Sequence, residues 1–133
     1  MQNFIWPYIV AFAVFLALDV IWLLTAGRSI YVSEIGSLLR DKPNLVAALM
    51  FYALYVAGLV YFVVVPGLGS ANVFAAALNG AFFGLVAYAT YDMTNYATIR
   101  DFTLRIALID MAWGAILSGL VTTVTVLILR GRG

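Results

Sequence analysis

The sequence contains no cysteine and no histidine among its 133 residues. The lack of cysteine excludes disulfides, thiolate nucleophiles, cysteine-held clusters and cysteine zinc sites. The lack of histidine removes the commonest metal ligand and the commonest general base at neutral pH, together with haem ligation by histidine. Any chemistry must therefore use the side chains of Asp, Glu, Tyr, Ser, Thr, Lys or Arg.

Charge is also scarce. Charged residues make up 10% of the sequence, whereas soluble domains contain about 25%. Hydrophobic residues make up 65%, and the mean hydropathy is +1.07. So few charges cannot form a polar shell, while an aromatic content of 15% excludes a disordered chain. The net charge of +1 provides no basic arm for nucleic acid, so no nucleic-acid partner is expected. The composition predicts an integral membrane protein.

Four long apolar stretches follow one another along the chain. They cover about residues 4–26, 44–65, 72–97 and 104–129. Each is near or above the roughly 20 residues that cross a bilayer core, and a backbone in lipid must satisfy its own hydrogen bonds, so helices are expected. The first stretch lacks a basic start and carries Asp19, which favours a retained helix over a signal peptide. We expect an all-α bundle of four transmembrane helices, forming a single domain over residues 1–133.

The segment between the first two stretches predicts a short amphipathic helix. A helical wheel gathers its apolar side chains on one side: Tyr31, Ile35, Leu38 and Leu39. The other side carries Ser29, Ser33, Ser37 and Arg40. Such a helix would lie in the membrane interface, and a plain connecting loop is the alternative.

Two segments that contain proline mark helix boundaries. Pro43 stands where the first turn of the second helix tolerates it. The uncharged run Pro66-Gly67-Leu68-Gly69-Ser70 predicts a tight turn between the second and third helices.

The basic residues predict an orientation. The loops at one end of the bundle carry Arg28, Arg40, Lys42, Arg100 and Arg105, and the opposite end carries Arg130 and Arg132. Because basic loops stay in the cytoplasm, we expect both termini to lie outside the cytoplasm.

Three carboxylates lie inside the apolar stretches, at Asp19, Asp92 and Asp110. Insertion scales assign about 2.5 to 3.5 kcal/mol to an ionised Asp at a helix centre. Because the first and third helices run inward and the fourth runs outward, all three residues fall at a similar depth near the cytoplasmic side. A shared polar layer favours a site over chance.

The residues around this layer complete the candidate site. Trp22 and Trp113 each follow an Asp by three residues, so each Trp lies on the same face of its helix as that Asp. We expect the two rings to bracket the carboxylates from above and below. The predicted ligand-binding residues are Asp19, Trp22, Tyr91, Asp92, Thr94, Asn95, Asp110 and Trp113. Three cations at the mouth of the layer are candidates for holding a lipid head group: Arg28, Arg100 and Arg105.

The three aspartates could instead bind Mg²⁺ or Mn²⁺ if their oxygens converged. The sequence offers neither histidine nor a paired D-x-D spacing, so we expect no metal and no cofactor. A purely structural role is a further alternative, because buried polar side chains also join membrane helices.

Small residues predict close helix packing in the last two helices. Gly80 and Gly84 form a G-x-x-x-G pattern, and the fourth helix carries a stripe of Gly114, Ser118, Thr122 and Thr125. Asn79, deep in the third helix, is expected to make an interhelical hydrogen bond.

Three motifs resemble those of a known family. They are L-D-x-x-W-L in the first helix, Y-D-x-T-N-x-A-T in the third and D-x-x-W-G in the fourth. The residues that carry the resemblance are Leu18, Asp19, Trp22, Leu23, Tyr91, Asp92, Thr94, Asn95, Ala97, Thr98, Asp110, Trp113 and Gly114. The chain resembles, over nearly its whole length, small bacterial predicted membrane proteins of unknown function with four helices. The resemblance implies a connection with lipids by association, since such proteins are often encoded near enzymes that modify membrane fatty acids.

Three classes of function compete. A proton-coupled transporter would use the carboxylates as carriers and the tryptophans as walls for an organic solute, and its four helices would imply a homodimer. A lipid-modifying enzyme, or its accessory subunit, would use one Asp as acid or base. A structural protein would need only helix packing. The sequence contains no nucleophile elbow and no phosphate loop, so we favour binding of a small cationic or lipidic molecule, with membrane lipids as partners, over catalysis.

Overall fold

A computed structural model describes residues 4–39, 42, 44–70 and 72–130. Four long apolar helices follow one another: α1 (Ile5–Leu38), α2 (Leu45–Leu68), α3 (Val73–Thr98) and α4 (Leu104–Arg130). The described residues include no β-strand. Each helix is long and apolar enough to cross a membrane, so the prediction of four spanning helices is confirmed.

The helix predicted after Arg28 is present, but it is the continuation of α1 rather than a separate element. The α-helix Ile5–Trp22 passes through a π-helical turn at Leu23–Gly27 into a second α-helical segment, Arg28–Ile35. The junction residues keep right-handed helical backbone angles, so the rod does not break there. The backbone departs from helical angles at Ile35, where φ is −136°, and the helix ends in a short 3₁₀ turn at Gly36–Leu38. The alternative of a plain loop is wrong.

Residues 28–38 form the α1 extension, and its apolar face is only partly buried. Ile35 is buried and Tyr31 is half-buried against the bundle, whereas Leu38 and Leu39 are exposed. Arg40, predicted on the polar face, lies outside the described residues. The 34 residues of α1 span roughly 50 Å at about 1.5 Å per residue. A hydrocarbon core of about 30 Å is much shorter, so the end of α1 extends beyond the core or the helix tilts.

The turn after α2 is shorter than the sequence predicted. Pro66 and Gly67 lie within the helical segment Val65–Leu68, and the chain turns only at Gly69 and Ser70. A proline in a helix lacks an N–H group, and its ring clashes with the carbonyl four residues earlier. The π-helical turn Val60–Val64 directly precedes this segment, so the regular α-helical hydrogen bonding is already interrupted just before Pro66.

Asparagine side chains begin two of the helices. The side chain of Asn44 accepts a hydrogen bond from Ala47 N, and that of Asn72 accepts one from Ala75 N, each at 3.1 Å. Each cap satisfies one backbone N–H group that the first turn leaves free. The predicted starts at residues 44 and 72 are therefore one residue from the observed ones, while Pro43 lies outside the described residues.

Helices α3 and α4 form the most extensive contact of the fold. A Cβ atom on Gly80 would collide with Thr122, and one on Gly84 would collide with the carbonyl of Gly114 and with Ser118. The two predicted small-residue patterns therefore face each other, and the prediction of close approach is confirmed. Asn79 is exposed on the outer face of α3, so the interhelical hydrogen bond expected for it is wrong.

The apolar core joins α1, α2 and α4. Phe15 of α1 is fully buried with a run of α2 residues that includes Val56 and Leu59, and α4 contributes Leu117 and Val121. Large apolar side chains are exposed on the outside of every helix, as a lipid environment allows.

Candidate functional site

Asp19 is held by two donors from two other helices. Tyr52 Oη of α2 donates to Asp19 Oδ2 at 2.7 Å, and Trp113 Nε1 of α4 donates to Asp19 Oδ1 at 3.1 Å. The side chain is 7% exposed. Each oxygen therefore has a partner in place of water, which lowers the cost of burying this carboxylate.

Asp110 is reached from the extension of α1. Tyr31 Oη donates to Asp110 Oδ1 at 2.5 Å and accepts a hydrogen bond from Trp22 Nε1 at 3.2 Å. The α1 extension thus contributes a site residue, because the continuous helix positions Tyr31 beside α4.

Trp22 and Trp113 stack on each other instead of bracketing the carboxylates. Their ring centroids are 4.7 Å apart and their planes differ by 12°. Stacking buries one face of each ring, while each indole N–H group still reaches an oxygen acceptor. Gly27 allows the Trp22 ring to lie against α1, since a Cβ there would be 2.5 Å from Trp22 Nε1.

Asp92 differs from the other two carboxylates. It has no exposed surface, and neither of its oxygens accepts a hydrogen bond from any donor in the described part of the chain. The Asp110 carboxyl group is its neighbour across the contact between α3 and α4. Two carboxyl groups can share a hydrogen bond only when one of them carries a proton. An ionised Asp in the membrane costs about 2.5 to 3.5 kcal/mol on insertion scales, so its missing partners need an explanation.

A cavity of about 340 Å³ lies between the four helices at the level of Asp19 and Asp110. Its walls are mainly apolar and aromatic, and its lining residues are Asp19, Leu23, Tyr31, Ala48, Phe51, Tyr52, Ala87, Tyr88, Tyr91, Asp110 and Trp113. Phe51 of α2 is 47% exposed and Tyr91 of α3 is 58% exposed, so this first cavity opens between α2 and α3. Both residues lie about two helical turns from the ends of their helices.

A second cavity of about 210 Å³ lies closer to the end of the bundle that carries the α1 extension. It is lined by Tyr31, Ile35, Leu39, Tyr91, Asp92, Phe102, Ile106 and Asp110. The first and second cavities share Tyr31, Tyr91 and Asp110 as lining residues. Of these two cavities, the buried Asp92 lines the second.

The remaining predicted site residues lie outside these cavities. Thr94 is exposed, and its backbone carbonyl accepts the hydroxyl of Thr98 at 2.8 Å. Asn95 is half-buried beside Tyr91 and lines neither cavity. The pattern on α3 therefore contributes Tyr91 and Asp92 to the cavities, while the two residues one turn later point elsewhere.

The three predicted mouth cations, Arg28, Arg100 and Arg105, are all exposed. Arg105 Nε lies 3.7 Å from Glu34 Oε2, and Thr103 Oγ1 donates to Glu34 Oε1 at 2.7 Å. These contacts attach the extension of α1 to the start of α4. Arg105 therefore pairs with Glu34 and with none of the three aspartates.

Three tyrosines of the site, Tyr31, Tyr52 and Tyr88, were not among the predicted residues. The sequence pattern places Tyr31 on an apolar face, and Tyr52 belongs to the helix without an acidic residue. The ring of Tyr88 packs on Gly114, where a Cβ atom would collide with it. Its position one turn before Asp92 was a usable signal for Tyr88, but no sequence signal identified Tyr52.

No group of three or more acidic side chains in the described ranges is arranged to hold a metal ion. The donors around the carboxylates are phenol and indole groups, which neutralise no charge. In residues 4–39, 42, 44–70 and 72–130 the ion pair that forms is Arg105–Glu34, and none involves Asp19, Asp92 or Asp110.

Four apolar helices with a buried carboxylate layer define a multi-spanning membrane protein. The chain belongs to the family described as "Predicted membrane protein (DUF2177)", whose family model matches residues 4–127. This is a family of unknown function. No curated protein and no solved structure matches the chain.

Proposed function

We propose that this protein binds an amphiphilic molecule with a positively charged nitrogen in the first cavity. The observation that carries the proposal is a cavity open between α2 and α3 whose carboxylates, Asp19 and Asp110, form no ion pair with a described cation. An arriving cation would supply the missing charge, and an alkyl chain would remain in the lipid between the two helices.

The aromatic walls support the same ligand chemistry. Phe51, Tyr88 and Trp113 present rings to the cavity beside the carboxylates. A cation over an aromatic face gains roughly 0.5 to 2 kcal/mol, with the larger value in a desolvated site. A neutral lipid would gain the apolar contacts alone, and an anionic lipid would be repelled by Asp19 and Asp110.

Binding can be tested with dodecyltrimethylammonium, a permanent cation with an alkyl chain. The full chain in lipid nanodiscs is titrated while Trp fluorescence is measured, and empty nanodiscs supply the partitioning background. Saturable binding is expected for this cation and not for dodecanol. Asp110→Asn should weaken binding about tenfold, equivalent to 1.4 kcal/mol, whereas Glu34→Gln, outside the cavity, should bind as the unmodified chain does.

A purely structural carboxylate layer gives a different result. Binding of the cation and of dodecanol would then be equal, and loss of binding in Asp110→Asn would follow loss of folded protein. If the protein were instead a lipid-modifying enzyme, deletion of its gene would change the lipid products of the strain. Either result would contradict the binding proposal.

We further propose that the protein lies in the bacterial inner membrane with the carboxylate layer near the cytoplasmic face. Arg28, Lys42, Arg100 and Arg105 belong to the end of the bundle that also holds the carboxylates, and Arg130 belongs to the other end. The excess of basic residues at the first end favours its retention in the cytoplasm. A reporter fused after Gly133 should be active outside the cytoplasm, and a cytoplasmic reporter signal would reverse the orientation.

A further inference from the structure

The second cavity contains the most unusual polar group of the molecule. Asp92 is completely buried, lines this cavity, and has two oxygens without hydrogen-bond partners among the described residues. Asp19, by comparison, receives donors at both oxygens. A buried carboxyl group with no donor is most stable when it carries a proton of its own.

The surroundings of Asp92 contain no described cation that could replace that proton. The titratable groups that face it in the cavity are Asp110 from α4, Tyr31 from α1 and Tyr91 from its own helix, while α2 contributes no lining residue. Two neighbouring carboxyl groups in a medium of low dielectric constant disfavour a second negative charge. One proton held between Asp92 and Asp110 leaves a single charge on the pair.

Asp110 connects this pair to the proposed ligand cavity. It lines both cavities, and Tyr31, which donates to it, also lines both. A cation in the first cavity would stabilise negative charge on Asp110, whose carboxyl group is half of the pair. The Asp92–Asp110 pair could then release its proton at little electrostatic cost.

We propose that Asp92 and Asp110 form a proton-binding site that exchanges one proton for one cation bound in the first cavity. The proton leaves the carboxyl pair through the second cavity toward the adjacent end of the bundle. The pair changes from one negative charge to two, and the bound cation supplies the compensating positive charge. This inference rests on the proposed function, because it requires a cationic ligand in the first cavity.

Linkage sets the expected pH dependence. If one proton leaves for each cation bound, the affinity for the cation falls by up to tenfold for each unit of pH lost while the pair is being protonated. Acid therefore releases the ligand. Asp92→Asn removes the exchangeable proton, so the affinity of that variant should depend much less on pH.

Proton release can be measured directly. Dodecyltrimethylammonium, which has no proton to lose, is added to the full chain in nanodiscs in weakly buffered solution that contains a pH indicator. About one proton per bound cation is expected from the unmodified chain and from Glu34→Gln, and none from Asp92→Asn. Binding without proton release, or equal release from Asp92→Asn, would overturn the inference while leaving the proposed function intact.

A second measurement separates the two proposals if the cation does not bind. Infrared spectra of the ligand-free protein should contain the carbonyl band of a protonated carboxyl group, and Asp92→Asn should remove it. Absence of binding with this band present would overturn the proposed function and the exchange, and would keep the proton site. Absence of the band would overturn the proton site itself.

Discussion

The two halves of the bundle solve the problem of holding helices together in lipid differently. In the half that contains Gly80 and Gly84, α3 and α4 approach so closely that an added Cβ would strike Ser118 or Thr122. In the half that contains the aspartates, the helices separate around the two cavities and are bridged by hydrogen bonds. Helix association in lipid depends on packing and hydrogen bonds, so the first half is joined mainly by close packing and the second mainly by hydrogen bonds between helices.

Both halves bury polar atoms, and their treatment differs. The hydroxyl groups of Ser118, Thr122 and Thr125 are buried without a described partner in the packed half, where small volume is what the contact requires. In the open half, Asp19 receives designated donors whereas Asp92 receives none. A neutral hydroxyl group tolerates burial without a hydrogen-bond partner far better than a charged carboxylate does. The unpartnered carboxyl group of Asp92 therefore points to a bound proton.

The largest effect is expected from a methyl group added to the packed half. Gly84→Ala should lower the free energy of unfolding by about 3 kcal/mol, because the new Cβ meets the backbone of Gly114, which cannot move aside. Gly119→Ala is the matched control on the same helix pair, since its Cβ would stand 3.4 Å from that of Ala81. Unfolding by sodium dodecyl sulfate in mixed micelles, followed by circular dichroism, measures both variants. Equal stabilities would contradict the packing difference.

The next effect separates the two kinds of carboxylate. Asp19→Asn should lower the free energy of unfolding by about 1 to 2 kcal/mol, because the amide can accept only one of the hydrogen bonds from Tyr52 and Trp113. The isosteric Asp92→Asn should not lower it, because no donor loses an acceptor. The same unfolding assay decides. A larger loss for Asp92→Asn would mean that this residue joins the helices structurally.

A smaller effect is expected at the tyrosine that links the cavities. Tyr31→Phe removes the hydrogen bond to Asp110 and the acceptor of the Trp22 indole N–H group. The free energy of unfolding should therefore fall by about 0.6 to 1 kcal/mol. Trp fluorescence should also shift, since the environment of the Trp22 ring changes. Tyr96→Phe, at an exposed position on α3, should change neither quantity. A fluorescence change of similar size in the control would remove the support for this link.

The smallest effect is expected at the surface ion pair of the α1 extension. Arg105→Gln should change stability by less than about 0.5 kcal/mol, because the arginine side chain is 75% exposed and water screens the pair. The difference in unfolding free energy between Arg105→Gln and the unmodified chain should be smaller at high salt than at low salt. A loss above about 1 kcal/mol would show that the extension is held mainly by this contact.

The sequence predicted the elements more accurately than their junctions. The third and fourth spans, expected at 72–97 and 104–129, are observed at Val73–Thr98 and Leu104–Arg130. The continuation of α1 through residues 23–27 and the passage of α2 through Pro66 were not predicted, and a π-helical turn lies within the first and directly before the second. Such turns have no sequence signature comparable to a cap or a hydrophobic run.

The sequence alone determined the membrane class, the four spans and the three carboxylates, because a lipid environment permits so few backbone structures and tolerates so few charges. It also predicted close packing at Gly80 and Gly84, whereas the structure showed that these glycines face the small-residue stripe of α4. Only the tertiary structure decided which carboxylate is partnered. The donors to Asp19 come from α2 and α4, and the donor to Asp110 comes from the α1 extension. Those partners are far apart in the chain and meet only when helices pack, so no local pattern could specify that Asp92 would be left without one.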